Sequence, residues 1–450
     1  MMSSELGSSA RSGHIPQRRW LVPVIALAVA IVLWTPALSW GNSDDVVYVE
    51  SNLITGNSIL AFRNNGSGML SFIGSTPAGG KGVYDPTFAI PPQSGTNDQD
   101  QAIQISHDRS LLFAVNSGSN SVAVFHINSD GSLLPVFGSP FPSGGSQPVS
   151  VGLKGDILAV ANKDEIPNQI PLPFSQGFFM GMPNYTSFRV GDDGGLTPIP
   201  RSTVSVAYLS SPSQVLPASL GELFFGDDTL GALLHPFRIE DGRLRQSPPV
   251  AAPDSVFEGV RFMGVPAPHF MIGLQTHPTL PVLYVGFTTA AKMGVYRYTL
   301  GRGPEEGGDR EEGGDRERGG KVSFVRAVPN SGLGICWILL NRAGTRIYTV
   351  NTFDNSVSVY DSTDPWNPVE IQHLHMVDNA GGPTSLALDR SEQFLYIVAQ
   401  RNEPFSQPFS NGIHVLKVGA NGKLTEAAGS PTPVGPFVNG DTTVQGIAVY

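Results

Sequence analysis

Cysteine is nearly missing from this chain: Cys336 stands alone among 450 residues. One thiol cannot close an internal disulfide, so a disulfide scaffold is excluded, and so is a zinc module built on cysteines. Charge is scarce too, at 15% of residues against roughly 25% in an ordinary soluble domain. The 28 basic residues are outnumbered by 38 acidic ones, for a formal net charge of −10. That balance excludes a general nucleic-acid binder and disfavours anionic membrane surfaces. Turn formers are abundant instead, with 52 glycines and 37 prolines. A chain that is 40% hydrophobic and 9% aromatic is too apolar to be disordered. The combination predicts short strands and many turns rather than long helices.

A strongly apolar uncharged run lies close to the start of the chain. Trp20 to Trp40 carries no charge and follows Arg11, Arg18 and Arg19. Its apolar heart, Leu21 to Trp34, fits a signal-peptide core of about 7–15 residues, and Ala37-Leu38-Ser39 offers a small-residue cleavage site. The full run also approaches the roughly 20 residues of an uncleaved anchor. Residues 1–41 therefore read as a signal peptide or membrane anchor. Either reading places the body, residues 42–450, outside the cytoplasm: periplasmic, secreted, or anchored by residues 20–40.

The body repeats. A β-rich tetrad, a polar turn and a second alternating strand return seven times, from VVYVESNLITGNSILAF at Val46 to FLYIVAQRNEP at Phe394. A further strand precedes most tetrads, as in AIQISHDRS and TSLALDRSEQ. After the second strand come tight turns such as Asp130-Gly131, Asp241-Gly242 and Asn421-Gly422, where glycine supplies the positive φ of a hairpin. Each unit then reads as a four-stranded antiparallel meander, strands a to d, and radial repetition of such sheets is a β-propeller. The expected fold is all-β, a seven-bladed propeller. The chain starts at a strand b, Val46 to Val49, and ends at a strand a, Thr443 to Tyr450. The C-terminal strand should therefore close the ring inside the N-terminal blade, removing an exposed sheet edge.

Two insertions interrupt the pattern. Residues 302–320 are charged, low in complexity and nearly free of apolar side chains, which predicts a disordered, solvated loop between strands c and d of the fifth blade. Ile166 to Tyr185, in the third blade, is apolar and reads as a segment packed on a neighbouring blade or lidding the channel. Arg401 to Asn411 takes the same place in the seventh blade.

The run Ser106 to Pro148 resembles a unit of the lactonase-type seven-bladed propellers, the family of the bacterial propeller 6-phosphogluconolactonases and carboxymuconate cyclase relatives. Ile347 to Asp361, IYTVNTFDNSVSVYD, resembles a YVTN repeat. The resemblance implies a lactone hydrolase or lactonising cyclase working in the axial funnel without a nucleotide cofactor, and the N-terminal segment adds export. It also implies an Arg-His pair leading into one inner strand and a carboxylate in the next b–c loop. Here the matching lead-in is Pro266-Ala267-Pro268-His269-Phe270, which keeps the histidine without the arginine. The following loop, Phe287-Thr288-Thr289-Ala290, has no acid.

In this topology the b–c loops and d–a lead-ins gather at one face of the ring. Lactone hydrolysis needs a base for water and donors for the oxyanion. Glu165, Asp164 or His269 is the base on this reading, and Lys163 or Arg401 the electrophile. Asn116, Asn162, Gln214, Asn351 and Asn402 are the substrate-binding candidates. Asn and Asp also favour such turns for conformational reasons alone. No metal centre is assigned and no cofactor is expected. The one cation considered at this face is Ca²⁺, on Asp227-Asp228, Asp164-Glu165 and Asp354. His373 and His375 share one strand face as a zinc pair would require, but no third ligand is evident nearby in sequence. Cys336 reads as a small core residue. The expected partner is a lactone or sugar-like small molecule. The alternative is a non-catalytic propeller binding a protein, glycan or small molecule outside the cytoplasm.

Overall fold

In the computed structural model the repeats become seven antiparallel sheets, within a unit running from Gly41 to Tyr450. The structure describes residues 45–83, 101–164, 182–207, 210–262, 264–300, 319–377, 382–400, 411–438 and 442–450. The leader, Glu165 and most of the third-blade insertion, nearly all of the charged loop, and 401–410 lie outside the described residues. Among the described residues no helix is long and apolar enough to cross a membrane.

Blade 1 runs from its outer edge inward as Leu70–Pro77, Ser58–Asn64, Val46–Glu50 and Gln445–Val449. The last chain strand is thus the innermost strand of the first blade, as the sequence predicts. Blade 2 is ordered Ile103–Ile105, Leu111–Asn116, Ser121–Ile127 and Leu133–Pro135, and the other five repeat this a-b-c-d order outward from the ring.

Strand b is buried along its whole length in blade 2 because both of its faces meet other blades. Leu111, Phe113 and Val115 pack toward blade 3, and Leu112 and Ala114 toward blade 1. Strand period two thus divides one strand between two seams. The core falls into seven apolar clusters, one at each blade–blade seam.

The Gly-Ser-Pro stretches break the outer strand. In blade 2, Leu133–Pro135 and Phe141–Pro142 both pair with strand c, with Gly138-Ser139-Pro140 between them. Pro140 has no N–H to give. The Ser139 hydroxyl takes the place of a ladder carbonyl and accepts from the Val124 amide at 2.9 Å. Ser430 does the same for Val415 in blade 7, at 2.9 Å.

A third insertion lies between blades 4 and 5, where the sequence reading had none. Asp254–Phe257 makes one helical turn, and Arg261–Phe262 pairs with Val265–Pro266 in a short hairpin. Phe257 rests on Phe287 and Phe262 on Phe353, so the segment covers loops of blades 5 and 6. The Lys292 ammonium donates to the Val256 carbonyl at 2.6 Å, tying the helical turn to the start of a strand c.

Candidate functional site

The loops that the topology sends to one face are sewn together there. In blade 3 the Lys163 amide donates to the Gln147 carbonyl at 2.9 Å and the Asp164 amide to Ser146 at 3.0 Å. In blade 6 Thr352 and Phe353 donate to Gly334 and Leu333 in the same way, each at 3.0 Å. In both blades the b–c loop therefore lies directly on the lead-in to its own inner strand.

These b–c turns share a backbone device. Asn52, Asn120, Asp164, Ala232, Ala291 and Asn355 all hold φ between 48° and 56°, and four of the six immediately precede strand c. The left-handed region favours Asn and Asp among residues with a side chain. That explains much of the Asn and Asp enrichment in these loops.

The asparagines ending strand b bind across the sheet. Asn116 donates to the Ala78 carbonyl at 3.1 Å and to its cross-strand neighbour Ser121, and accepts from Asn57. Asn162 donates to Asn184 across the strand pair at 3.1 Å and to Ser143, and its buried Oδ1 has no partner among the described residues. Asn351 donates to Ser356 at 2.9 Å and to Ser358, and accepts from Asn330. All three are buried.

Nearer the axis a carboxamide network spans three blades. Gln214 Nε2 donates to Gln101 Oε1 at 2.9 Å, reaching from blade 4 to the lead-in of blade 2. The same carboxamide donates to the Leu274 carbonyl and accepts from the Leu274 amide in blade 5. Asp227 underlies it. Its Oδ1 accepts from the amides of Ser213 and Gln214, and its Oδ2 from the Ser213 hydroxyl at 2.6 Å and from the Gly273 amide. Burial pushes this carboxyl up to about 6, against those four bonds. On the blade 1 side Glu50 and Gln445 are buried opposite each other in register. Gln445 has no side-chain partner among the described residues. Asn57 and the Val115 amide approach Glu50 without completing a bond, and burial lifts its carboxyl well above the usual range.

Of the catalytic candidates, Lys163 is fully buried and Asp164 nearly so. Burial raises the Asp164 carboxyl above its ordinary range, with a bond from Ser146 opposing. His269 sits on the third insertion. Its ring stacks on Phe257 at 4.2 Å, and its Nδ1 lies 3.8 Å from the exposed Asp254 carboxylate, beyond hydrogen-bond reach. Glu165, Arg401 and Asn402 lie outside the described residues. The carboxylates considered for Ca²⁺ do not converge among the described residues. Asp354 instead lies beside His373 and His375 at the outer edge of blade 6.

No protein-family model matches the chain, and no curated protein does. Solved structures do match. A provisionally assigned 6-phosphogluconolactonase of Bacteroides uniformis aligns with a TM-score of 0.57 at 15% identity, over 89% of this chain and 99% of that one. One of the same description from Bacteroides fragilis gives 0.55 at 16% identity, over 87% and 97%. A periplasmic gluconolactonase of Pseudomonas aeruginosa gives 0.52 at 14%, over 86% and 98%. At such identities the likeness shows the seven-bladed fold, of which lactonase-like proteins are instances.

Proposed function

We propose that this chain is an exported lactonase-like propeller that opens a small lactone at the loop face of the ring. The observation that carries the reading is the b–c loop of blade 3. There Lys163, fully buried, and Asp164, whose carboxyl is raised by burial, are consecutive residues in a loop bonded directly to the lead-in at Gln147. A carboxyl raised by burial is a stronger base once ionised. In this proposal Asp164 takes a proton from water as the water oxygen bonds to the lactone carbonyl carbon. Lys163 stabilises the oxyanion, and Asp164 returns the proton to the ring oxygen as the C–O bond breaks. The product is the open hydroxy acid, with no redox partner and no cofactor. The solved lactonase-like neighbours support the substrate class. The N-terminal uncharged run supports export.

A second reading, binding without turnover, is favoured by the bonding of Asn116, Asn351 and Gln214, whose polar atoms are engaged within the protein. One experiment separates the two. Purified protein is screened by pH-stat against sugar lactones, muconolactones and acyl-homoserine lactones, alongside Asp164→Asn, Lys163→Met and His269→Ala. Asparagine also tolerates φ near 56°, so Asp164→Asn removes the charge without straining the turn. Saturable hydrolysis that falls at least about 100-fold in Asp164→Asn, with an unchanged melting temperature, supports the base assignment. Loss in His269→Ala alone moves the base to the third insertion. No turnover of any panel lactone by folded wild-type protein overturns the hydrolase reading and leaves the binding one.

A further inference from the structure

The outer edge of blade 6 carries a group that the sequence leaves incomplete. His373 and His375 lie two residues apart on Val369–His375, so both point to one face, and their rings sit 4.7 Å apart. The register pairs Ser358 with His373 and Ser356 with His375. That pairing brings the b–c loop just before Ser356 alongside both imidazoles, and Asp354 with it. His373 Nε2 lies 3.5 Å from Asp354 Oδ2. One ligand atom from each of Asp354, His373 and His375 falls within 4.8 Å of the other two.

We propose that Asp354, His373 and His375 bind one divalent transition cation of the zinc class, away from the carboxamide network near the axis. Two imidazoles and one carboxylate are a borderline-soft donor set, which suits zinc better than calcium or magnesium. His373 Nε2 contacts the Ser356 hydroxyl at 2.8 Å, a bond that the ion displaces, whereas the bonds to Asp354 and His375 are those a metal site uses. The Asp354 carboxylate is held by the Leu333 amide at 3.0 Å and the Ser356 hydroxyl at 2.6 Å. His375 Nδ1 lies 3.2 Å from the Asp354 carbonyl. As donor in that bond it leaves Nε2 with the lone pair, the arrangement by which second-sphere carbonyls orient ligand histidines. Bonds of about 2.1 Å to a tetrahedral ion set ligand atoms about 3.4 Å apart, so the widest edge of the trio closes by somewhat over 1 Å on binding. His375 is exposed and can shift about its Nδ1 bond for that closure, while Asp354 and His373 are largely enclosed, at 16% and 23% side-chain exposure. Three protein ligands leave the fourth position to water, open on the solvent side.

The test is calorimetric titration of the purified full-length chain with zinc chloride, paired with thermal melting. The expected result is one ion per chain and a melting temperature that rises with zinc. His375→Ala changes an exposed side chain and leaves the fold intact. It weakens binding at least tenfold, and His373→Ala with His375→Ala together abolishes it. His107→Ala, on an exposed turn of blade 2, binds as wild type. Cobalt(II) in place of zinc gives visible d–d bands in the wild type that the double variant loses. Absence of a zinc-dependent heat and melting shift overturns the proposal. So does zinc binding that persists undiminished in the double variant.

Discussion

Asp227 accepts four hydrogen bonds and is still pushed from an ordinary 3.8 to about 6, because burial outweighs them. The protonated form is therefore favoured in the folded state over the unfolded one. Its contribution to stability is fully present below about pH 4 and is lost as pH rises to about 6, a difference of the order of 3 kcal/mol by linkage. Glu50, also raised by its burial, acts in the same direction. Asp108 and Asp361, lowered by bonds from Ser106 and Thr363 among others, act in the opposite direction. The difference between wild type and Asp227→Asn isolates the one residue. Asparagine keeps the acceptor that faces the Ser213 and Gln214 amides but turns a donor toward the Gly273 amide. Urea unfolding between pH 4 and 6.5 should show wild type losing more stability than the variant, with the variant less stable at pH 4. A variant profile as steep as the wild type's would assign the slope elsewhere.

The c–d hairpins show an element doing two jobs at once. Gly131 holds φ at 82°, and a Cβ there would meet Val46 Cγ2 at 2.6 Å. Gly194, Gly242 and Gly422 repeat both features against Leu111, Ile157 and Arg346. Each of these turns of one blade is thus pressed on the start of strand b of the blade before it. In blade 2 the Tyr48 hydroxyl adds a bond to the Gly131 carbonyl. Gly131→Ala should cost about 2–4 kcal/mol, from left-handed strain together with overpacking, read as a lower urea midpoint at unchanged slope. A cost below about 0.5 kcal/mol would mean the seam yields freely. The turn glycines were legible because Asp-Gly and Asn-Gly mark a hairpin whatever lies around it. The tetrads were legible because strand b is apolar throughout. The third insertion was not, since a single helical turn and two-residue strands have no period to detect. The pairing of Asp354 with the two histidines was not either: Asp354 lies 19 residues before His373 and reaches it only through the c–d register. The roles of Asn116, Asn162 and Asn351 could not be told from ligand-binding ones, since a cross-strand bond and a substrate bond ask for the same side chain.

At the scale of the ring, stability depends on having no edge. The seven seams form a closed series, and the innermost strand Gln445–Val449 contributes to two of them, against blades 2 and 7, while pairing with Val46–Glu50. Tyr450 extends the clasp, exchanging backbone bonds with Val46 at 2.7 and 2.8 Å, and the Arg109 guanidinium lies 4.6 Å over its ring. Thr442 and Thr443, just ahead, are bonded to Ser51 and Asn52 of the first blade. Asn411 of blade 7 holds Thr442 as well, at 3.0 Å. The first and last blades are therefore joined through the final nine residues. Deleting Gln445 to Tyr450 would leave Val46–Glu50 as an unpaired apolar inner edge, the kind of surface that templates pairing with another chain. The truncated protein should lose its single cooperative transition and run as oligomers on size exclusion. A monodisperse truncated chain that melts with the full-length protein would show instead that the other seams hold the ring without the clasp.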